Sequence, residues 1–271
     1  MTAVRALGAG FDPAIVAAID GKLSAIAESE RVTLLFAVES GSRAWGFPSP
    51  DSDYDCRFIY VRRRDDYLAL FALRDVIELP ADALFDVNGW DLAKALRLLL
   101  KGNAVVIEWL TSPFVYAGNA AFRDEMLALA RRTVRPPAVA RHYLHLGERQ
   151  RRTYFADEHA IPLKKIFYAL RPAVALRWLR LHPGEPVAPM HFPTLIAQSD
   201  MPPDVAALVE GLLARKALTS ELGTGPLPAA IGRLVDEEFA VARERWLDEA
   251  WRPDAATLAA ADDLFRRWVT R

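Results

Sequence analysis

The chain has 271 residues, of which 52% are hydrophobic and 25% charged, with a formal net charge of -1. That length permits one large core but lies where chains tend to divide in two. The composition excludes a disordered chain, and the overall charge points to no polyanionic partner. The average hides an asymmetry: residues 131–180 carry twelve Lys/Arg against three acids, a local excess of nine positive charges. The single cysteine, Cys56, excludes an intrachain disulfide. The N-terminus lacks a basic stretch followed by an apolar run, so a reducing, cytoplasmic setting is expected. The apolar stretch Leu96 to Leu110 is interrupted by Lys101, Gly102, Asn103 and Glu108. It falls short of the ~20 apolar residues of a membrane span, and no membrane association is expected.

In chain order, Asp12-Pro13 is a cap and first-turn pair, and Ile15, Ile19, Leu23 and Ile26 recur at helical spacing, giving a helix to about Ser29. Val32 to Val38 reads as a buried strand, followed by the small-residue turn Glu39-Ser40-Gly41-Ser42-Arg43 and the loop Ser49-Pro50-Asp51-Ser52. Tyr54 to Val61 reads as a second strand, and Asp75 to Leu79 and Leu84 to Val87 as short ones. From Asp91 the pattern turns helical: Leu92, Leu96, Leu99 and Leu100 form one stripe, and Val105 to Leu110 another short helix. Beyond Tyr116 no strand pattern is visible. Amphipathic segments follow at about 120–132, 138–156, 162–181, 203–218, 229–248 and 255–269. The expected architecture is α+β: an N-terminal mixed β-sheet domain flanked by helices over 1–118, then an all-helical domain over 119–271.

The informative stretch is Gly41-Ser42, ten residues, then Asp53-Tyr54-Asp55 leading into a strand. Alternation along a strand puts Asp53 and Asp55 on one face, roughly 7 Å apart. Two carboxylates at that distance repel by about 2 kcal/mol at an effective dielectric of about 20. A divalent cation relieves this, because Mg²⁺ takes oxygen ligands and is commonly held by one or two carboxylates plus substrate phosphates. Arg57 shares the face and is a candidate structural partner that neutralises the two acids instead. Upstream, Gly41 and Ser42 open a turn whose amides and hydroxyl can hold a phosphate, and Arg43 either touches that phosphate or caps the turn. A phosphate cradle joined to a carboxylate pair suits in-line attack on a nucleotide phosphate.

Gly41-Ser42 with Asp53-x-Asp55 resembles the signature of DNA polymerase beta-like nucleotidyltransferases. The wider text is similar to their RNA-repair-pathway subgroup over Glu39 to Phe47, Pro50 to Asp55, Phe58 to Tyr60, Gly89 to Lys94, Glu108 to Pro113 and Lys164 to Pro172. The resemblance implies a third carboxylate on a later neighbouring strand. Asp86 is chosen, because in Leu84-Phe85-Asp86-Val87 the flanking apolar residues face the core and Asp86 the other side. Glu78 and Asp91 are the competitors, Asp91 being better placed to begin the Leu92 helix.

The resulting expectation is transfer of a nucleoside monophosphate from an NTP, ATP among the candidates, to an acceptor hydroxyl with release of pyrophosphate. Asp53 and Asp55 hold two Mg²⁺ ions, for which Mn²⁺ can substitute, and Asp86 completes the second site. Gly41 and Ser42 bind the β- and γ-phosphates. Lys164, Lys165, Tyr168 and Arg171 fall at near-helical spacing in the basic segment. By resemblance to superfamily members whose helical domain grips the triphosphate and the acceptor, Lys164 and Arg171 contact phosphates. The basic domain makes an RNA or tRNA 3′ end the first choice of acceptor. A protein or small-molecule hydroxyl is the rival acceptor, and an inactive nucleotide-binding or antitoxin-like module the rival class. Trp45, Phe47 and Trp90 are read as core, and Cys56 as a small buried hydrophobe.

Overall fold

The computed structural model describes residues 3–220, 222–247 and 252–270. Helix α1 (Pro13–Ser29) starts where its cap demands: the Asp12 carboxylate accepts the Ala14 amide at 2.8 Å, and Pro13 occupies the first helical position. Its stripe of Val16, Ile19, Leu23 and Ile26 is buried against the sheet. Each such side chain contributes about 1.5–3 kcal/mol through burial.

Five strands form one mixed sheet in the order β3-β4-β2-β1-β5: β1 (Thr33–Ser40), β2 (Tyr54–Val61), β3 (Val76–Glu78), β4 (Phe85–Asp91) and β5 (Val115–Gly118). Strands β2 and β4 are parallel and the other pairs antiparallel. The strand expected over 84–87 runs on to Asp91, because Gly89 lets the Phe58 ring lie where a Cβ would stand. Asp91 ends β4 and caps α3 (Leu92–Leu100), its carboxylate accepting the Ala93 amide at 2.7 Å. The short helix α2 (Gly41–Ala44) joins β1 to the loop before β2, and α4 (Ala104–Thr111) precedes β5.

The remaining helices are α5 (Ala120–Thr133), α6 (Pro136–Tyr154), α7 (Ile166–Leu181), α8 (Phe192–Ala197), α9 (Pro203–Leu218), α10 (Ala229–Trp246) and α11 (Ala255–Val269). Two departures from the sequence expectation stand out. The region beyond Tyr116, expected to lack strands, contains the end of β5 and a two-residue pair, β6 (Ile161–Pro162) with β7 (Thr224–Gly225). Strands that short leave no alternation to read. The helix expected from 162 is therefore delayed: Leu163–Lys165 form a 3-10 turn and α7 begins at Ile166. Helix α8 had no sequence signal, and the expected end of α10 at 248 lies outside the described residues.

One apolar cluster lies between α1 and the sheet. A larger one covers the opposite face with α3, α4 and α5 and continues without a break into α6, α7 and α10. The change from mixed to helical structure at about residue 118 thus falls between β5 and α5, while the core runs across it. The C-terminal helix returns to the sheet half: Trp268 packs edge-on against Phe122 at 5.1 Å, and Phe265 against Tyr67 at 5.0 Å. Among the described residues no helix is long and apolar enough to cross a membrane.

Candidate active site

Parallel pairing of β2 with β4 sets Asp55 directly opposite Asp86. Arg57, two residues along β2 and therefore on the same face, reaches back between them. It donates from Nη2 to Asp55 at 2.9 Å and to Asp86 at 2.6 Å, and from Nη1 to the Asp86 carbonyl at 2.7 Å. Asp53 stands just before β2 with its side chain exposed. Burial raises the Asp55 carboxyl to about 6, with Arg57 opposing and the neighbouring Asp53 and Asp86 charges adding to the rise. The acids together hold more negative charge than the one guanidinium offsets.

Gly41 ends β1 with φ +63°, in the left-handed region that glycine adopts freely. A Cβ placed there would overlap the Asp55 carboxylate, so the backbone turn and the acid are built against each other. Behind them Glu39 is wholly buried. It accepts the Asp55 amide at 3.1 Å on Oε1 and meets the Tyr116 hydroxyl on Oε2. Burial pushes its carboxyl up to about 8, outweighing the lowering by the Tyr116 and Asp55 hydrogen bonds.

The loop 49–53 closes the front. Ser42 donates to Ser52 Oγ at 3.0 Å, which also accepts the Ser49 amide at 2.9 Å. Arg43 donates to the carbonyls of Asp53 at 3.1 Å and Ser52 at 2.5 Å, with its guanidinium 3.8 Å from the Tyr54 ring centroid. Its charge therefore staples the loop before β2 rather than capping the 41–43 turn. A cleft of about 290 Å³ opens between this loop and the helical half, lined by Ser42, Ser49, Asp53, Lys164, Lys165 and Lys216 among others.

Of the basic-segment residues expected here, Lys164, Lys165 and the aromatic Tyr168 line the cleft. Lys165 Nζ lies 4.5 Å from the Tyr168 ring centroid and 4.9 Å from that of Tyr154. Arg171 is not brought to the cleft. Its guanidinium is buried in an ion pair with Glu108 at 2.6 Å, beside the Tyr143 hydroxyl and 4.2 Å from the Trp45 ring centroid. The basic segment is also less bare than its count suggests. Arg151 pairs with Asp236 as well as with Glu158 of its own segment, and Arg177 and Arg180 share Glu238, so Asp236 and Glu238 from elsewhere in the chain meet part of the excess.

Two residues at the site were missed by the sequence reading. Lys216, on α9, is buried and donates from Nζ to the Phe47 carbonyl at 2.7 Å, bringing a third lysine to the cleft. Only its distant placement in the chain concealed it. Glu39 carried a signal, an acid at the end of an apolar strand, that the neighbouring Gly-Ser overshadowed.

The other stretches that carry the family resemblance build the frame. Trp90 packs on Trp109 with ring centroids 4.1 Å apart, and Ser112 donates to the Glu39 carbonyl at 2.6 Å. Phe47 is buried and stacked on Phe167 at 4.8 Å, while Trp45 and Trp90 are half-buried against the core. Cys56 is wholly buried, and burial raises its thiol well above the usual range.

The donor chemistry of Asp53, Asp55 and Asp86, all carboxylate oxygens, suits a hard divalent cation. As arranged, Arg57 takes the place between two of them, and among the described residues no group of three or more His, Cys, Asp or Glu side chains is poised to hold a metal. The acids around Asp55 nonetheless outnumber the Arg57 guanidinium, a charge balance that suits a divalent cation.

A mixed five-stranded sheet with acids on adjacent parallel strands beside a Gly-Ser turn, followed by helices, has the form of a nucleotidyltransferase fold. The chain belongs to the RlaP family, described as the RNA repair pathway DNA polymerase beta family, whose model matches residues 15–267. It is similar to the uncharacterized protein YcgL of Bacillus subtilis (strain 168), 41% identical over 218 residues that cover 80% of this chain and 83% of the relative.

Proposed function

We propose that the protein transfers a nucleoside monophosphate from an NTP to a hydroxyl of an RNA acceptor, with a tRNA 3′ end among the candidates. The observation that carries this reading is the in-register placement of Asp55 beside Asp86, with Asp53 and a lysine-lined cleft at their edge. Family membership supports nucleotidyl transfer connected with RNA repair.

In this reading Lys164, Lys165, Lys216 and the Ser42 hydroxyl bind the triphosphate in the cleft, and the Gly41 turn sets Ser42 at its edge. Asp53 and Asp55 would hold Mg²⁺, or Mn²⁺ in its place, and Asp86 would complete a second site. When bound, the ions supply charge neutralisation and bring the attacking and leaving oxygens into line. The acceptor hydroxyl attacks the α-phosphorus, its proton passes to Asp86, and the bond to the bridging β-phosphate oxygen breaks to release pyrophosphate. Arg57 keeps Asp55 and Asp86 together until the cation arrives.

The test is incubation of the purified protein with labelled NTPs, Mg²⁺ and either total RNA or cell lysate. Label on RNA that disappears with Asp53→Ala plus Asp55→Ala is the expected result. Label confined to polypeptide or to a small molecule overturns the RNA acceptor. Equal activity of wild type and double variant overturns the catalytic assignment.

A further inference from the structure

The strongest unassigned relationship in the molecule involves Glu39, and its meaning rests on the reading of Asp55 as a metal-holding carboxylate. Every polar group of Glu39 is engaged. Its amide donates to the Phe114 carbonyl at 3.0 Å, and its carbonyl accepts from Ser112 Oγ at 2.6 Å. Its two carboxyl oxygens take the Asp55 amide and the Tyr116 hydroxyl. Both partners on the far side, Ser112 at the main-chain carbonyl and Tyr116 at the carboxyl, belong to the α4–β5 segment, so Glu39 ties β5 to the start of β2 across β1. Carboxyl burial of this kind costs free energy unless each oxygen is hydrogen-bonded, which here it is.

The consequence falls on Asp55. Its main chain is fixed from behind by Glu39, while in front the bare Cα of Gly41 lies against its carboxylate. The two restraints leave the acid facing Asp86.

We propose that Glu39 is a positioning residue for Asp55: it fixes the Asp55 main chain through the amide, and so sets where the carboxylate meets a divalent cation, without touching cation or nucleotide itself. Partners that orient metal ligands act in this way.

The experiment is Mn²⁺ titration, followed by electron paramagnetic resonance, of the full chain as wild type, Asp55→Ala, Glu39→Leu, Glu39→Gln and Tyr116→Phe, with transfer kinetics alongside. Leucine keeps the volume but loses the acceptor. Glu39→Leu should weaken Mn²⁺ binding and kcat by about 10- to 100-fold, the range for lost ligand-orienting partners, while KM for the NTP stays near wild type. Glu39→Gln, whose amide oxygen still accepts the Asp55 amide, should recover most of that loss. Should Glu39→Leu fail to fold, Tyr116→Phe carries the test, with a smaller drop in Mn²⁺ affinity expected. The proposal is overturned if folded Glu39→Leu, or in its absence Tyr116→Phe, binds Mn²⁺ as wild type does. It is equally overturned if folded Glu39→Gln is as defective as Asp55→Ala, since the carboxylate charge would then be what matters. Wild type that binds no Mn²⁺ sinks the reading of Asp55 itself, a failure visible without any Glu39 variant.

Discussion

Arg57 joins Asp55 to Asp86, its Nη2 lying 2.9 Å from one carboxylate and 2.6 Å from the other. Two acids set side by side by strand register repel, and the guanidinium between them offsets that repulsion. Arg57→Met should therefore cost about 1–2 kcal/mol of stability, less than a fully buried pair because Asp86 is partly exposed. The distinguishing outcome is in the cation response: Mg²⁺ should raise the melting temperature of Arg57→Met more than that of wild type. Equal increments in a thermal melt would show that Arg57 and the cation do not compete.

Gly41 is required twice over, by its φ of +63° and by the carboxylate where a Cβ would stand. Gly41→Ala should cost about 1–2 kcal/mol for the left-handed backbone and displace Asp55. Denaturant unfolding measures the first effect. Nucleotidyl transfer reduced beyond what the stability loss explains measures the second, and a stable, fully active alanine variant contradicts the geometry.

Glu39 also makes stability depend on pH. In an unfolded chain a glutamate titrates near about 4.3, whereas burial holds this one up at about 8. The folded protein therefore keeps a proton that the unfolded chain releases. The associated stability is complete below about pH 4, declines as the pH rises through the interval and is gone above about pH 8. Glu39→Gln removes the titration, so its melting temperature should fall less than that of wild type between about pH 5 and pH 8. Parallel curves would place the Glu39 proton elsewhere.

The arginine and lysines of the basic segment should separate experimentally. Arg171→Ala leaves Glu108 buried without its ion-pair partner and should cost about 3–5 kcal/mol, the figure for breaking a buried ion pair. Lys164→Ala and Lys165→Ala should leave stability near wild type, weaken NTP or RNA binding and flatten its salt dependence. Fluorescence anisotropy over a salt series, set beside thermal melts, tests both halves. Arg171→Ala that is stable but binds poorly would return it to the phosphate-contacting role.

Much of this arrangement was legible in the residues themselves. The β-branched and aromatic run Tyr54 to Val61 gave β2 its bounds, and strand alternation put Arg57 on the face of Asp55. The Asp12-Pro13 and Asp91-Leu92 pairs marked helix starts because caps are local chemistry. What sequence could not yield was register and distance in space. Nothing in the order of residues sets Asp86 opposite Asp55, brings Lys216 to the Phe47 carbonyl, or sends Arg171 to Glu108. The first is set by strand register within the sheet, the other two by how the helical half packs over it. The β6–β7 pair escaped for a different reason, being too short for any periodicity.

The most direct test of the account is a crystal structure with Mn²⁺ and a nonhydrolysable NTP, read by anomalous scattering. The expected result is metal density among Asp53, Asp55 and Asp86, with Arg57 withdrawn from at least one carboxylate and the triphosphate against Ser42, Lys164 and Lys216. Arg57 still bridging Asp55 and Asp86, with no anomalous signal beside them at saturating Mn²⁺ and nucleotide, would contradict it.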